Sequence, residues 1–305
     1  MKLSHYSVPE LLKKASSNNG IILLVGPFSV RLRTRNHQLV SNLRDLYQDF
    51  STCSVKNQIV DFHIDMFSPS NHRRWIKPQI NFSIDGLFPF SPFSVSHATP
   101  LFEWGFNWCI ARNAQNFLLL HAAVLEKNNK SLILPALPGS GKSTLAAALS
   151  HSGWRFLSDE FCIIHPSDGK IIPIPRPTPL KNESIQIIRD FSPDTFIGPL
   201  FHNTRKGTIG HLRSPTSAIE QQHKPGTPRW IIFPRYQSSS KTTLMPLDKS
   251  FSQMKLASNA FNYEIQSEVG FKTVTRMVDN CDCYNLTFST LNSAISILDT
   301  LADNV

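Results

Sequence analysis

The sequence is poor in the features that mark several large classes of protein. It has only five cysteines among 305 residues, and an odd number at irregular spacing does not predict a disulfide framework. Cys281 and Cys283 lack the spacing of zinc ligands, and no second pair accompanies them. This pattern predicts a chain of the reducing cytoplasm with no structural metal.

Long apolar runs and long charged runs are also missing. The longest apolar stretches, GIILLVG (20–26) and FLLLHAAVL (117–125), are too short to span a bilayer, and no targeting segment is recognisable. The net charge of +9 comes without a block of Lys and Arg and without a nucleic-acid-binding motif. We therefore expect no membrane partner and no nucleic-acid partner. The charge favours phosphate-bearing ligands slightly, and ordinary solvated basic faces explain it equally well.

What is present is a globular composition, 41% hydrophobic and 17% charged, with enough length for two domains. Residues 1–112 predict a small α+β module at the N-terminus. SVRLRTR (29–35) alternates as a half-buried strand, whose arginines would line either a peptide-binding edge or a solvated face. A helix with Asn36 as its cap follows over 36–50. A second helix, over 100–117, places Trp104 and Trp108 on one face, which predicts that both are core residues.

Residues 113–305 predict a second, larger α/β domain. The apolar runs over 117–126 and 131–135 are typical of buried strands. A strand over 154–164 turns back in a short hairpin, so antiparallel strands are expected beside the parallel ones. A long loop is predicted over 192–228. Helices are predicted near 249–261, 270–280 and 289–302.

The stretch LPALPGSGKSTLAAAL (134–149) has nearly the pattern of a phosphate-binding loop between an apolar strand and a helix. Ala136 stands where the full G-x-x-x-x-G-K-[ST] pattern has its first glycine. Glycines let backbone amides turn toward a triphosphate, Lys142 would reach its β- and γ-phosphates, and the Ser143 hydroxyl would bind Mg²⁺. The alternative is a turn of small residues before a helix. The residues expected to contact ATP are Pro138, Gly139, Ser140, Gly141, Lys142, Ser143 and Thr144.

A pair of acidic residues, Asp159 and Glu160, follows the next strand in the segment FLSDE. A carboxylate at this place would orient Mg²⁺ or accept a proton from an attacking hydroxyl. A solvated acidic turn is the competing interpretation. The spacing of 17 residues from Lys142 favours the functional one.

These segments resemble a known family. HAAVLEKNNKSLILPALPGSGKSTLAAALSHSGWRFLSDE is similar to the catalytic core of bacterial HPr kinase/phosphorylase, and more closely to the subfamily HprK-related kinase A. EWGFNWCI, PRPTPLKNES, TRKGT and FNYE extend the resemblance over most of the chain, although the first module does not resemble the N-terminal domain of HPr kinases. The resemblance implies the P-loop kinase core shared with phosphoenolpyruvate carboxykinases, with extra antiparallel strands.

The resemblance also implies roles for single residues. His121 matches an active-site histidine, and Asp159 matches the base that deprotonates the acceptor serine. Glu160 replaces the second aspartate of the family and, with Ser143, is a candidate Mg²⁺ ligand; the replacement puts a reverse phosphorylase activity in doubt. Glu183 is a candidate Mg²⁺ ligand by a loose match, with a first-turn helix carboxylate as the alternative.

Arg205 is the candidate mobile-loop cation near the transferred phosphoryl group, with Lys206 as an equal candidate. Together these residues predict a kinase that uses ATP and Mg²⁺ and phosphorylates a hydroxyl, expected to be a serine of a protein or peptide. A small-molecule kinase and a non-catalytic ATP-binding regulator are the alternatives. A homo-oligomer is left open.

Overall fold

The computed structural model describes residues 1–53, 59–137 and 139–304, which form a mixed α/β fold with several sheets. The helices and strands in chain order are Val8–Ala15 (α1), Ile21–Val25 (β1), Phe28–Thr34 (β2), His37–Leu46 (α2), Thr52–Cys53 (β3), Phe62–Met66 (β4), Gln79–Ile80 (β5), Ser83–Ile84 (β6), Phe93–Ser94 (β7), Ala98–Asn113 (α3), Leu118–Leu120 (β8), Ala122–Lys127 (β9), Lys130–Pro135 (β10), Lys142–Ser150 (α4), Arg155–Ser158 (β11), Cys162–Ile164 (β12), Ile171–Ile172 (β13), Thr178–Lys181 (β14), Glu183–Phe191 (α5), Phe201–Thr204 (β15), Gly207–Leu212 (β16), Thr216–Glu220 (α6), Pro228–Tyr236 (β17), Thr243–Pro246 (β18), Lys249–Ser258 (α7), Tyr263–Asn280 (α8), Asp282–Phe288 (β19) and Leu291–Asp303 (α9).

The chain divides into two compact units. The first consists of Met1–Arg112, Pro179–Ile185 and Phe196–Arg213, and the second of Asn113–Thr178, Gln186–Thr195 and Ser214–Val305. Two later segments of the chain therefore belong to the unit that begins at the N-terminus.

The first unit contains a five-stranded sheet in the order β3-β1-β2-β4-β6. Val30, Leu32 and Thr34 of β2 are buried, as the alternation predicts. Strand β2 pairs with β1 on one side and β4 on the other, so the idea that it offers a peptide-binding edge is wrong. Its Arg33 Nε donates across the sheet to Asp65 Oδ1 at 2.6 Å.

Helix α2 begins after Asn36, whose side chain accepts a hydrogen bond from the Leu39 amide at 2.8 Å, so the predicted cap is confirmed. Helix α3 begins two residues earlier than the expected Pro100. Phe102 and Phe106 are among its fully buried residues, whereas Trp104 is 42% exposed. The prediction that Trp104 is core is therefore wrong, because residues two apart on a helix face in nearly opposite directions.

The second unit contains a six-stranded sheet in the order β11-β9-β10-β17-β19-β18. Strands β10, β17 and β19 are parallel to one another. Strand β9 is antiparallel to both β10 and β11, so β11 runs in the direction of β10. The carboxyl ends of these four strands consequently share one edge of the sheet, which is where α/β proteins commonly bind ligands.

Two apolar runs predicted as single strands are each divided between two sheets. The chain changes sheet at His121, between β8 and β9, and again over 159–161, between β11 and β12. Strands β8 and β12 pair with each other, with Leu120 opposite Cys162. The predicted antiparallel hairpin is confirmed by β12 and β13, in which Ile163 lies opposite Ile172. Apolar residues lie on both sides of each change of sheet, so composition did not indicate that the two sides belong to different sheets.

The segment 192–228 is not the long loop that its composition predicts. It contains the hairpin of β15 and β16 and the short helix α6. The sequence also gave no indication of β19, although this strand lies inside the six-stranded sheet. Burial raises the pKa of its neighbour Cys281 to about 12, so this thiol is protonated and unreactive. Within the described residues, no helix combines the length and the apolarity needed to cross a bilayer.

Candidate active site

The candidate phosphate loop connects the end of β10 to the start of α4. Gly139 and Gly141 have φ angles of +86° and +85°, a conformation that residues with a Cβ rarely adopt. Gly141 is constrained twice, because an added Cβ would lie 3.1 Å from both Tyr236 Cβ and Phe288 Cζ. Around Gly139, by contrast, no described atom lies within 4 Å of that position. Pro138 lies outside the described residues.

The loop is attached to the sheet through the end of β17. The Tyr236 amide donates a hydrogen bond to the Ser140 carbonyl at 2.9 Å. The Ser140 hydroxyl accepts a longer bond from the Lys142 amide at 3.4 Å. One bond to the Ser140 backbone and one to its side chain therefore connect the turn to the end of β17 and to the start of α4.

Helix α4 begins directly at the loop, with Gly141 as its N-cap residue. Gly141 has no side chain to cap the first turn, and the Ser140 hydroxyl makes the one long bond to the Lys142 amide described above. Ser143 and Thr144 are half-buried within that turn. The amides at a helix N-terminus and the positive end of the helix dipole together make such a terminus attractive to an anion.

Lys142, the first residue of α4, forms a buried ion pair with Asp159. Lys142 Nζ donates to the backbone carbonyl of Asp159 and, at 3.1 Å, to Asp159 Oδ1. Lys142 is 7% exposed and Asp159 is 5% exposed. The contact follows from the topology, because β10 and β11 end at the same edge. Asp159 Oδ2 is buried and has no hydrogen-bond partner among the described residues. This oxygen can therefore accept a proton or a hydrogen bond.

Ala136, which replaces the first glycine of the loop pattern, is 5% exposed at the entrance of the loop. We expect Ala136→Gly to be nearly neutral for ATP binding, because the site requires small size. Ala136→Leu should abolish binding and lower stability by about 1–3 kcal/mol, because the added atoms overpack a closed position. Calorimetric titration with Mg-ATP and urea unfolding measure the two effects. ATP binding of native strength by Ala136→Leu would remove residue 136 from the phosphate loop.

A second cluster lies at His121 and Glu160, at the two points where the chain passes from one sheet to the other. His121 Nε2 is 3.8 Å from Glu160 Oε1, and the His121 ring lies 5.7 Å from the ring of Phe261. Phe261 also contacts Phe161, with ring centroids 4.9 Å apart. His121 and Glu160 are each about one-third exposed, so a ligand can reach both side chains.

Asn262 holds this cluster together, a role that the sequence did not reveal. Its buried side chain accepts from the Leu119 amide at 3.0 Å and donates to Gln115 Oε1 and to the Phe117 carbonyl. The segment after α7 is thereby fixed along β8, which places Phe261 beside His121. Asn262 belongs to FNYE, one of the segments on which the family resemblance rests, but no physical pattern distinguished it from an ordinary turn residue.

Asn262→Ala is expected to lower the free energy of unfolding by about 1–3 kcal/mol, because the buried Leu119 amide of β8 and the Phe117 carbonyl before it lose their hydrogen bonds to the side chain. Urea unfolding measures the change. Asn280→Ala is the matched control, because the Asn280 side chain is exposed and donates only to Arg276 O of its own helix. Equal effects of the two substitutions would contradict the role assigned to Asn262.

Two further candidates lie in the other unit. Glu183 is the first residue of α5, and Arg205 lies with Lys206 at the exposed tip of the β15–β16 hairpin. At the hairpin tip, Thr204 Oγ1 donates to the Gly207 carbonyl at 2.7 Å. The structure brings Lys142, Ser143, Asp159, Glu160 and His121 together in the second unit, and it places Glu183 and Arg205 in the first.

The arrangement provides the backbone amides of a helix N-terminus, a buried cation and a carboxylate with one oxygen that lacks a partner among the described residues. These are the groups that phosphoryl transfer requires. Within the described part of the chain, no three His, Cys, Asp or Glu side chains converge as a metal cluster. Comparison of the sequence with protein-family models and with curated proteins finds no match.

Proposed function

We propose that this chain is a cytoplasmic kinase that uses ATP and Mg²⁺, with the P-loop core of HPr kinases and of HprK-related kinase A. The observation that carries the proposal is the buried Lys142–Asp159 pair at the N-terminus of α4, directly after the two loop glycines. A structural ion pair needs neither a glycine loop nor a helix N-terminus beside it. A phosphate site requires all three.

The triphosphate would lie along residues 139–144, held by the loop amides and by Lys142. Its γ-phosphate would compete with the Asp159 carboxylate for the Lys142 ammonium group, because both are anions within reach of one cation. ATP binding would therefore loosen the ion pair and leave the carboxylate available. This coupling would activate the base only when the phosphate donor is in place.

Asp159 would then act as the general base. Its carboxylate accepts the proton of the acceptor hydroxyl as the hydroxyl oxygen forms a bond to the γ-phosphorus. The bond from that phosphorus to the β–γ bridging oxygen breaks, and its electron pair leaves with ADP. His121 and Glu160, close to each other at the side of the site, would orient the acceptor.

Mg²⁺ is a cofactor that the residues present can accommodate. Asp159 Oδ2 is a carboxylate oxygen with no hydrogen-bond partner among the described residues. The Ser143 hydroxyl and the Glu160 carboxylate are further oxygen ligands of the kind that Mg²⁺ prefers. When bound, Mg²⁺ supplies charge neutralisation at the β- and γ-phosphates. Glu183 remains a candidate ligand on the family resemblance alone.

The acceptor is proposed to be a serine of a protein or peptide, and two other functions compete with this one. A small-molecule kinase would phosphorylate a metabolite but no peptide, and a regulator would bind ATP without transferring phosphate. Incubation with γ-³²P-ATP and an array of serine peptides tests the proposal. Label on peptides that is lost in Asp159→Asn supports it. Tight ATP binding with no label on peptides or small hydroxyl compounds would identify a regulator.

A further inference from the structure

Tyr236, the last residue of β17, carries an exposed aromatic ring beside the candidate phosphate loop. The residue is 50% exposed. Its amide donates to the Ser140 carbonyl at 2.9 Å, and its Cβ would lie 3.1 Å from a Cβ added at Gly141. The backbone and the Cβ of Tyr236 therefore lie against the loop, while half of the residue's surface remains open to a ligand.

The chain that follows Tyr236 is attached to the end of β19. The Gln237 amide donates to the Phe288 carbonyl at 2.9 Å, and Ser289 Oγ donates to the Ser240 carbonyl at 2.8 Å. The Tyr236 ring also contacts the buried ring of Phe288, with the centroids 5.9 Å apart and the ring planes at 72°. These contacts give the exposed ring a defined place at the edge of the sheet.

The order of the strands determines on which side of the loop a nucleoside would lie. In the order β11-β9-β10-β17, Asp159 follows β11 on one side of β10, and Tyr236 ends β17 on the other side. Phosphate transfer with Asp159 as the base requires the γ-phosphate on the β11 side. The nucleoside, at the opposite end of the triphosphate, would then lie on the side of β17.

The chemistry of this edge suits a nucleobase. A base stacks on an aromatic ring through its flat face, and every base has such a face. A purine covers more of the ring than a pyrimidine does, because it has two fused rings and buries a larger area. The segments that meet around Tyr236, over 139–144, 235–240 and 286–290, contain no Asp or Glu that would repel the phosphates.

We propose that Tyr236 stacks on the base of the bound nucleotide and gives the site a preference for purine nucleoside triphosphates. The proposal rests on the phosphate site proposed above and adds a binding residue at the end of the ligand away from Asp159. Because stacking uses the face of the ring, the phenol hydroxyl is not required. A triphosphate without a nucleoside would not use Tyr236 at all.

Calorimetric titration with Mg-ATP and with Mg-tripolyphosphate, which has no nucleoside, tests the proposal. Tyr236→Ala keeps the amide and the Cβ that contact the loop and removes the ring. Its ATP affinity should fall about tenfold to a hundredfold, the usual loss for one stacked base, while its tripolyphosphate affinity stays native. Tyr236→Phe should keep both affinities. Phe251→Ala, at an aromatic residue 61% exposed on α7, is the matched control and should change neither.

The native protein should also bind ATP and GTP more tightly than CTP and UTP, and Tyr236→Ala should reduce this difference. Native ATP affinity in Tyr236→Ala would overturn the proposal. An equal loss of ATP and tripolyphosphate affinity would overturn it too, because the ring would then act through the loop. Failure of the native protein to bind tripolyphosphate would refute the phosphate site itself. The expected binding pattern without phosphate transfer would refute the kinase function and support the role of Tyr236.

Discussion

Lys142→Ala is expected to remove phosphate transfer and to weaken Mg-ATP binding by about tenfold to a hundredfold, the value of a hydrogen bond to a charged group. It should also lower the free energy of unfolding by about 3–5 kcal/mol, because Asp159 would remain as a buried carboxylate without its cation. Calorimetric titration and urea unfolding measure the two effects separately. Lys241→Ala, at an exposed lysine of the same unit, is the matched control.

The double variant Lys142→Ala, Asp159→Ala separates stability from function. Removing both charges abolishes the cost of the unpaired carboxylate, so most of the lost stability should return. ATP binding and phosphate transfer should not return, because the phosphate cation is still missing. Restored transfer in the double variant, or native transfer in Lys142→Ala, would contradict the assignment of Lys142 to the phosphates.

Asp159→Asn is expected to lower the rate of phosphate transfer by roughly 10²–10⁴, the usual loss when a positioned base is removed. Asparagine keeps the size and most hydrogen bonds of the side chain but cannot accept the proton. ATP affinity should stay the same or rise, since Lys142 no longer has a carboxylate competing with the γ-phosphate. Transfer rate and ATP affinity are measured on the same preparation of the variant.

The two measurements on Asp159→Asn distinguish its possible roles. If Asp159 were a direct Mg²⁺ ligand, Mg²⁺ dependence and ATP affinity would fall together with the transfer rate. A native transfer rate would remove Asp159 from the mechanism and leave Glu160 as the candidate base. Asp168→Asn, the same substitution at an exposed aspartate of the same unit, serves as the matched control.

The sequence could predict the elements that local chemistry determines. The alternation of Val30, Leu32 and Thr34, the cap at Asn36 and the loop glycines before α4 are all local patterns, and each lies in the predicted element. The proximity of Lys142 and Asp159 was also predictable. Each residue was expected to lie close to the end of a buried strand, and the ends of neighbouring strands in one sheet lie close together.

The rest depends on contacts between distant parts of the chain. Composition alone could not show that the apolar run around His121 is shared between two sheets, because both halves are equally apolar. Trp104 lies outside the core because Phe102 and Phe106 occupy it, a competition that side-chain spacing does not decide. Asn262 resembles any turn residue until its three hydrogen bonds to the segment 115–119 are known.

The most direct measurement of the central claim compares ATP with AMP by calorimetric titration of the native protein in the presence of Mg²⁺. If residues 139–144 hold a triphosphate, its β- and γ-phosphates supply most of the binding free energy through the loop amides and Lys142. ATP should then bind at least about a hundredfold more tightly than AMP, which corresponds to the loss of one or two charge-assisted contacts. Equal affinity for ATP and AMP, or no binding of either, would contradict the account.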